Sequence, residues 1–229
     1  MLVERAAYHL SDRSVGGLLL HAAAVSHGGR CVLLPGKTSA GKSTLTAWLV
    51  ARECRYLTDE LVYIPAGTTT AVPFTRPLNI RASGLAALEA KGVDVSASGA
   101  EVLHAPSLAL VRPPVSASGI DQPPPEIAFI AFPRYEADAS FSATAMSKAE
   151  AGLNLMACLI NARNLADHGH PEVARLAREV PAFRVTYSDV GLAEEWMAAL
   201  GRGHRPQRAR DIRVRRGRVL ASDEFRAAR

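Results

Sequence analysis

The chain has 229 residues, 48% of them hydrophobic, enough for one well-filled domain with appendages and short for two. Its longest apolar run, Val15 to Val25, is interrupted by Gly16, Gly17 and His21, and no small-residue cleavage site follows Glu4 and Arg5, so a membrane anchor and a signal peptide are not expected. The net charge of +5 is uneven: residues 202–229 hold ten arginines against Asp211, Asp223 and Glu224, and the rest of the chain carries 17 basic and 19 acidic side chains.

Residues 18–26 and 30–34 read as two strands joined by the turn His27-Gly28-Gly29. The next stretch, Gly36-Lys37-Thr38-Ser39-Ala40-Gly41-Lys42-Ser43-Thr44, fits the phosphate-loop pattern G-x-x-x-x-G-K-[ST]. It lies between an apolar strand, Cys31 to Leu34, and a helix with Leu45, Trp48 and Leu49 on one face, running to about Arg52. That setting matters physically. Glycines let the backbone curl until its N–H groups point at a phosphate chain, and the helix N-terminus adds partial positive charge. Gly36, Ser39, Ala40, Gly41 and Thr44 would line the cradle, Lys42 would reach the outer phosphates of ATP, and the Ser43 hydroxyl would bind Mg²⁺. Lys42 is expected at the surface of this loop.

Further along, Arg55 to Leu57 is a short strand, Thr58-Asp59-Glu60 a polar cluster, and Leu61 to Ile64 another strand. Residues 67–77 read as loop, 78–81 as a strand edge and 84–91 as a short helix. Residues 92–126 form a Pro-, Ser- and Ala-rich excursion with Val-Ser-Ala-Ser-Gly at 95–99 and 115–119, built around one or two strands such as 108–111. Residues 127–132 predict a strand, 147–164 a helix with Leu153, Met156, Leu159 and Ile160 along it, and 171–180 a helix with Pro at its start. A strand over 183–187 and a helix over 191–200, capped by Ser188 or Asp189, complete an α/β pattern. Residues 1–201 thus read as one unit and 202–229 as a basic tail in which Ile212-Arg213-Val214 would add a strand. No aromatic residue interleaves with the arginines before Phe225, so nucleic-acid binding is not expected. Cys31, Cys54 and Cys158 lack metal or redox spacing and read as buried free thiols of a cytoplasmic protein.

Phosphoryl transfer to a hydroxyl requires an acid that holds metal and a base near the nucleophile. Asp59 and Glu60, placed where the chain returns to the loop, are the candidates for both roles, with Asp59 the expected base. Taken in order, Leu20-His21-Ala22-Ala23, the Gly36–Ser43 loop, Leu57-Thr58-Asp59-Glu60 and Leu78-Asn79-Ile80-Arg81 resemble the catalytic domain of HPr serine kinase/phosphorylase over residues 18–85. The resemblance implies a P-loop fold of the HPr kinase and phosphoenolpyruvate carboxykinase type, with a mixed sheet and flanking helices. It implies an ATP- and Mg²⁺-dependent kinase acting on a serine of a protein or peptide, with assembly into homo-oligomers as in the family. Asp59 and Glu60 would share metal contact, with Ser43, and proton abstraction; His21 would tune the site; Arg81 would stabilise charge, and Arg134 lies near another arginine of the family. Glu60 stands where the family has Asp, and Asn79 where it has Glu. The later P-V-R-P-G-R-N signature is absent, so reverse phosphorylase activity is not carried over. A small-molecule hydroxyl kinase and a nucleotide-binding regulator without transfer are the alternatives.

Overall fold

The computed structural model describes residues 13–74, 76–95, 100–112, 122–201, 212–215 and 218–220. Its centre is β1 (Gly17–His27), an eleven-residue strand whose buried run from Leu18 to Val25 is interrupted only by half-buried His21. One edge of β1 pairs antiparallel with β2 (Arg30–Pro35) through the Gly28-Gly29 turn, where both glycines have positive φ. The other edge serves two strands in succession. Residues 24–26 pair with β3 (Arg55–Thr58), and residues 17–21 pair with β4 (Leu61–Pro65). The turn between β3 and β4, which is Asp59-Glu60, is therefore held against the middle of β1, where the Ala22 N–H donates to the Glu60 carbonyl at 3.0 Å.

The ten-stranded sheet continues from β2 to β9 (Glu126–Tyr135), β11 (Ala182–Tyr187) and β10 (Ser142–Ala145), with β5 (Val72–Pro73) beside β4. β2, β9 and β11 are parallel, and the remaining pairs are antiparallel. Past β10 come β12 (Ile212–Arg215) and β13 (Arg218–Leu220), so the expected tail strand exists and joins the sheet through Ser142 and Ala143. The Val-Ser-Ala-Ser-Gly copies fall almost wholly outside the described residues, as do the arginines at 202–210.

Both faces of the sheet are covered. α1 (Lys42–Ala51) and α5 (Val190–Gly201) pack on one face, where Trp196 sits edge-on to Phe129 and Phe183 at 5.6 and 5.2 Å. α3 (Lys148–Met156) and α4 (His170–Glu179) cover the other, burying Leu155, Val173 and Leu176 against Leu18, Leu20 and Ile130. A separate three-stranded sheet of β6 (Leu78–Arg81), β8 (Leu108–Arg112) and β7 (Glu101–Ala105), with α2 (Ala82–Glu89), closes over α1; Leu78, Ile80 and Val111 share the core of Leu45 and Trp48. The excursion over 92–126 therefore contributes β7 as well as the expected β8.

One expected helix is shorter than its pattern. The run over 147–164 ends at Met156, because β1 recruits residues 158–160 as edge partners. The Cys158 carbonyl accepts from His21 N at 2.8 Å, the Ile160 N–H donates to Leu19 O at 2.9 Å, and Leu20 bridges Leu159. Asn161, 1% exposed, seals this edge: its Oδ1 accepts from Leu19 N and its Nδ2 donates to the Ser14 and Gly17 carbonyls, each at 2.9 Å. Leu153 is left 70% exposed.

Candidate functional site

The loop from Gly36 to Thr44 leaves the end of β2 and enters α1. It is curled by positive φ at Ser39 (71°) and Gly41 (90°). Glycine is required at 41, since a Cβ there would lie 2.5 Å from the Tyr187 hydroxyl. Gly36 is close to Ala40, the Ala40 carbonyl accepts from Tyr135 N at 3.3 Å, and the Thr44 hydroxyl abuts Gly84 of α2. The N–H groups of Lys42, Ser43 and Thr44 belong to the first turn of α1, where a helix has no internal acceptors for them.

Lys42 does not lie at the loop surface as expected. It is 6% exposed, and its Nζ donates to the Gly36 carbonyl at 2.6 Å and the Lys37 carbonyl at 3.1 Å, curling back under the loop. The reason is enclosure: β1 passes beneath, and Nζ also lies 3.1 Å from His21 Nε2. Burial pulls the Lys42 ammonium below its ordinary 10.5, partly offset by the Cys158, Glu60 and Asp59 groups nearby.

An ammonium can only donate, so His21 Nε2 accepts and the ring proton sits on Nδ1, facing Glu60 Oε1 at 3.4 Å. Glu60 is thereby joined to the loop lysine through one imidazole. The hydrogen bond from His21 holds the Glu60 carboxyl below its usual range against the opposing effect of burial, and Arg76 adds to the lowering.

Asp59 has the opposite environment. Only 3% exposed, it is pushed above the usual carboxylate range by burial. Its Oδ2 accepts from Ser43 Oγ at 3.3 Å and from Asn79 N at 3.2 Å, and its Oδ1 lies 3.3 Å from the Tyr56 hydroxyl. Arg76 spans both acids, with Nε 3.3 Å from Asp59 Oδ1 and a terminal nitrogen 3.5 Å from Glu60 Oε2. Its buried Nε–H is not aimed at the carboxylate and has no hydrogen-bond partner among the described residues.

These groups open into a cleft of about 430 Å³, within the range of small-molecule sites. His21, Ser39, Gly41, Lys42, Ser43, Thr44, Asp59, Glu60 and Arg81 all line it. Arg81 stands at its rim and donates to Ser39 Oγ at 2.9 Å. Arg134 lies outside it, exposed and paired with Glu136 at 2.5 Å. Arg76, Tyr135 and Tyr187 are among the lining residues that were not singled out from the sequence. Arg76 precedes Pro77 in a stretch read as loop, where no periodicity marks it. Of the cysteines, Cys31 and Cys158 are buried, whereas Cys54 is only partly so; burial and Glu194 raise its thiol to about 11.

The residues present fit a magnesium nucleotide. Among the described residues no three His, Cys, Asp or Glu side chains converge as a self-sufficient metal site. Ser43 and Asp59 instead offer two hard oxygen ligands beside the loop, the partial set that suits Mg²⁺, which keeps waters and takes phosphate oxygens. No helix among the described residues is long and apolar enough to cross a membrane. No protein-family model matches the chain, and no curated protein matches it.

Proposed function

We propose that this chain has a P-loop fold of the HPr kinase type and is an ATP- and Mg²⁺-dependent phosphotransferase acting on a serine hydroxyl of a protein or peptide. One observation carries the reading: the path Lys42–His21–Glu60 and the pair Ser43–Asp59 meet at one curled, glycine-bearing loop. A phosphate grip, a metal-ligand pair and a base are thus supplied to one point.

The two acids divide the work by environment. Asp59, buried and bonded to Ser43, suits the metal, and Glu60, more open and oriented by His21, suits the acceptor proton; this reverses the expectation that Asp59 is the base. Mg²⁺, when bound, neutralises charge on the outer phosphates and orients them for in-line displacement. Lys42 turns from the Gly36 and Lys37 carbonyls to the phosphates. The serine oxygen bonds to the terminal phosphorus, the bond from that phosphorus to its bridging oxygen breaks, ADP departs, and the serine proton passes to Glu60. Arg76 and Arg81 supply positive charge around the transferred group. A cleft of this volume is filled by one nucleotide, which favours an acceptor presented from outside on a larger chain.

The test is intact-mass analysis of candidate peptides and proteins after incubation with the chain, ATP and Mg²⁺. A gain of one phosphoryl group, lost with Glu60→Gln, is expected. Tight nucleotide binding with neither transfer nor ADP formation would leave the regulator reading in its place.

A further inference from the structure

The cleft has two chemically different ends. The end beside β1 holds the charged groups His21, Lys42, Asp59, Glu60 and Arg76. The other end lies across Thr44 and Gly84, where α2 faces the carboxyl ends of β9 and β11, and is lined by Ala87, Lys91, Tyr135, Ser188 and Val190. In the order β11-β9-β2-β1 these two strands stand on the opposite side of β2 from β1. This asymmetry gives a triphosphate on the loop a direction. Lys42 and the Ser43–Asp59 pair take the outer phosphates and metal on the β1 side. The inner phosphate then lies over Thr44, and the rest of the molecule leaves toward β9 and β11.

The groups waiting there suit a flat ring on a sugar. Tyr135 is 51% exposed, yet its ring is held at 71° to buried Tyr187 with centroids 6.0 Å apart, so its face is offered in a fixed orientation. Ala87 and Val190 add apolar surface. Lys91 Nζ meets Asp189 Oδ2 at 2.5 Å across the mouth, and Asp189 Oδ1 accepts from Gly191 N at 2.8 Å. The Ser188 hydroxyl is donated to the Ala139 carbonyl at 2.8 Å. Charge at this end is internally balanced, which disfavours phosphate and suits neutral hydroxyls.

Resting on the phosphate-loop reading above, the geometry points to the α2–β9–β11 end of the cleft as a nucleoside pocket. The base lies against Tyr135, and the ribose hydroxyls meet Lys91, which its ion pair with Asp189 anchors beside the start of α5.

The experiment compares calorimetric binding of Mg·ATP and of Mg·tripolyphosphate, which lacks a nucleoside, to the full chain and to Tyr135→Ala and Ala87→Phe. Ala87 is exposed on α2, so the larger ring fills the pocket without entering the core. ATP should bind the native chain more tightly than tripolyphosphate. Each variant should weaken ATP by roughly tenfold or more, the scale of a lost base–aromatic stack, and leave tripolyphosphate unchanged. Retained tripolyphosphate affinity also shows that the variants fold. Equal affinity of the native chain for both ligands, undiminished ATP binding in both variants, or parallel loss of both ligands would each overturn the pocket while leaving the loop assignment standing. If the native chain binds neither ligand, the phosphate-loop reading fails and the pocket with it.

Discussion

At the scale of single residues, the site is a set of charges kept apart by burial and joined by one imidazole. Lys42 illustrates both. Its ammonium is already bonded to two carbonyls of its own loop, so under the proposed function a phosphate would replace these partners rather than add to them. Lys42→Met, similar in length and uncharged, should abolish Mg·ATP binding by calorimetry and keep a melting temperature near that of the native chain, because it removes a charge held below its ordinary range by burial. A variant that melts normally and still binds ATP would refute the assignment. Asp59 makes a different prediction. Burial pushes its carboxyl above the usual aspartate range, so a Mg²⁺ bound there as proposed would have to displace a proton held to higher pH than on a free aspartate. In the presence of ATP, Mg²⁺ affinity should therefore fall as pH drops, starting above the ordinary aspartate value of 3.8. Asp59→Asn should flatten that dependence and lower transfer by about 10²-fold or more. For the metal-free chain the sign is opposite: the folded state binds this proton more tightly, so its contribution to stability is full at low pH and is lost as pH rises through the folded-state pKa.

At the scale of elements, what matters is how β1 distributes its two edges. One edge holds β3 and β4 and pins Asp59-Glu60 beside His21; the other holds β2 and then the segment carrying Cys158 and Ile160. Asn161 closes that second edge, and Asn161→Ala would strand the Leu19 N–H and the Gly17 carbonyl in the interior. A loss of about 2–6 kcal/mol is expected, at roughly 1–3 per buried unsatisfied group, read as a lower midpoint in urea with an unchanged slope. A midpoint within error of the native one would mean water replaces the amide. The same edge shows where sequence reading stops. Strands with continuous apolar runs, such as Leu18 to Val25 and Ile127 to Phe132, were legible, and so was the loop, because glycine and lysine spacing is local chemistry. The true end of α3 was not. Leu159 and Ile160 continue a helical spacing, and only the unfilled edge of β1, some 140 positions away in sequence, diverts them. Arg76 was missed for a like reason, since its role arises from meeting two acids across a turn.

At the scale of the whole molecule, the two layers covering α1 and the sheet edge beyond β10 set its limits. The arginine-rich end supplies β12 and β13 as edge strands, and the pairing of Arg213 with Ser142 gives part of it a structural role. Deleting residues 203–229 should lower the melting temperature and leave ATP affinity intact. Unchanged melting with a much higher acceptor KM, steeply salt-dependent in the full chain alone, would instead make the arginines a docking surface for an acidic acceptor.

The pairing pattern also has a history in time. β1 to β4 lie within residues 17–65, with β1 and β2 joined by the Gly28-Gly29 turn, and that stretch contains His21, Lys42, Ser43, Asp59 and Glu60. The parallel pairs β2–β9 and β9–β11 join strands separated by long stretches of chain, and such contacts form late because the loops between them must close first. The charged half of the cleft is thus assembled from neighbours, and the half built on Tyr135 and Val190 arrives only when the distant strands dock. In refolding followed by pulsed hydrogen exchange, amides of β1 to β4 should gain protection before those of β9 and β11; simultaneous protection of all six strands would show that the chain condenses as one unit.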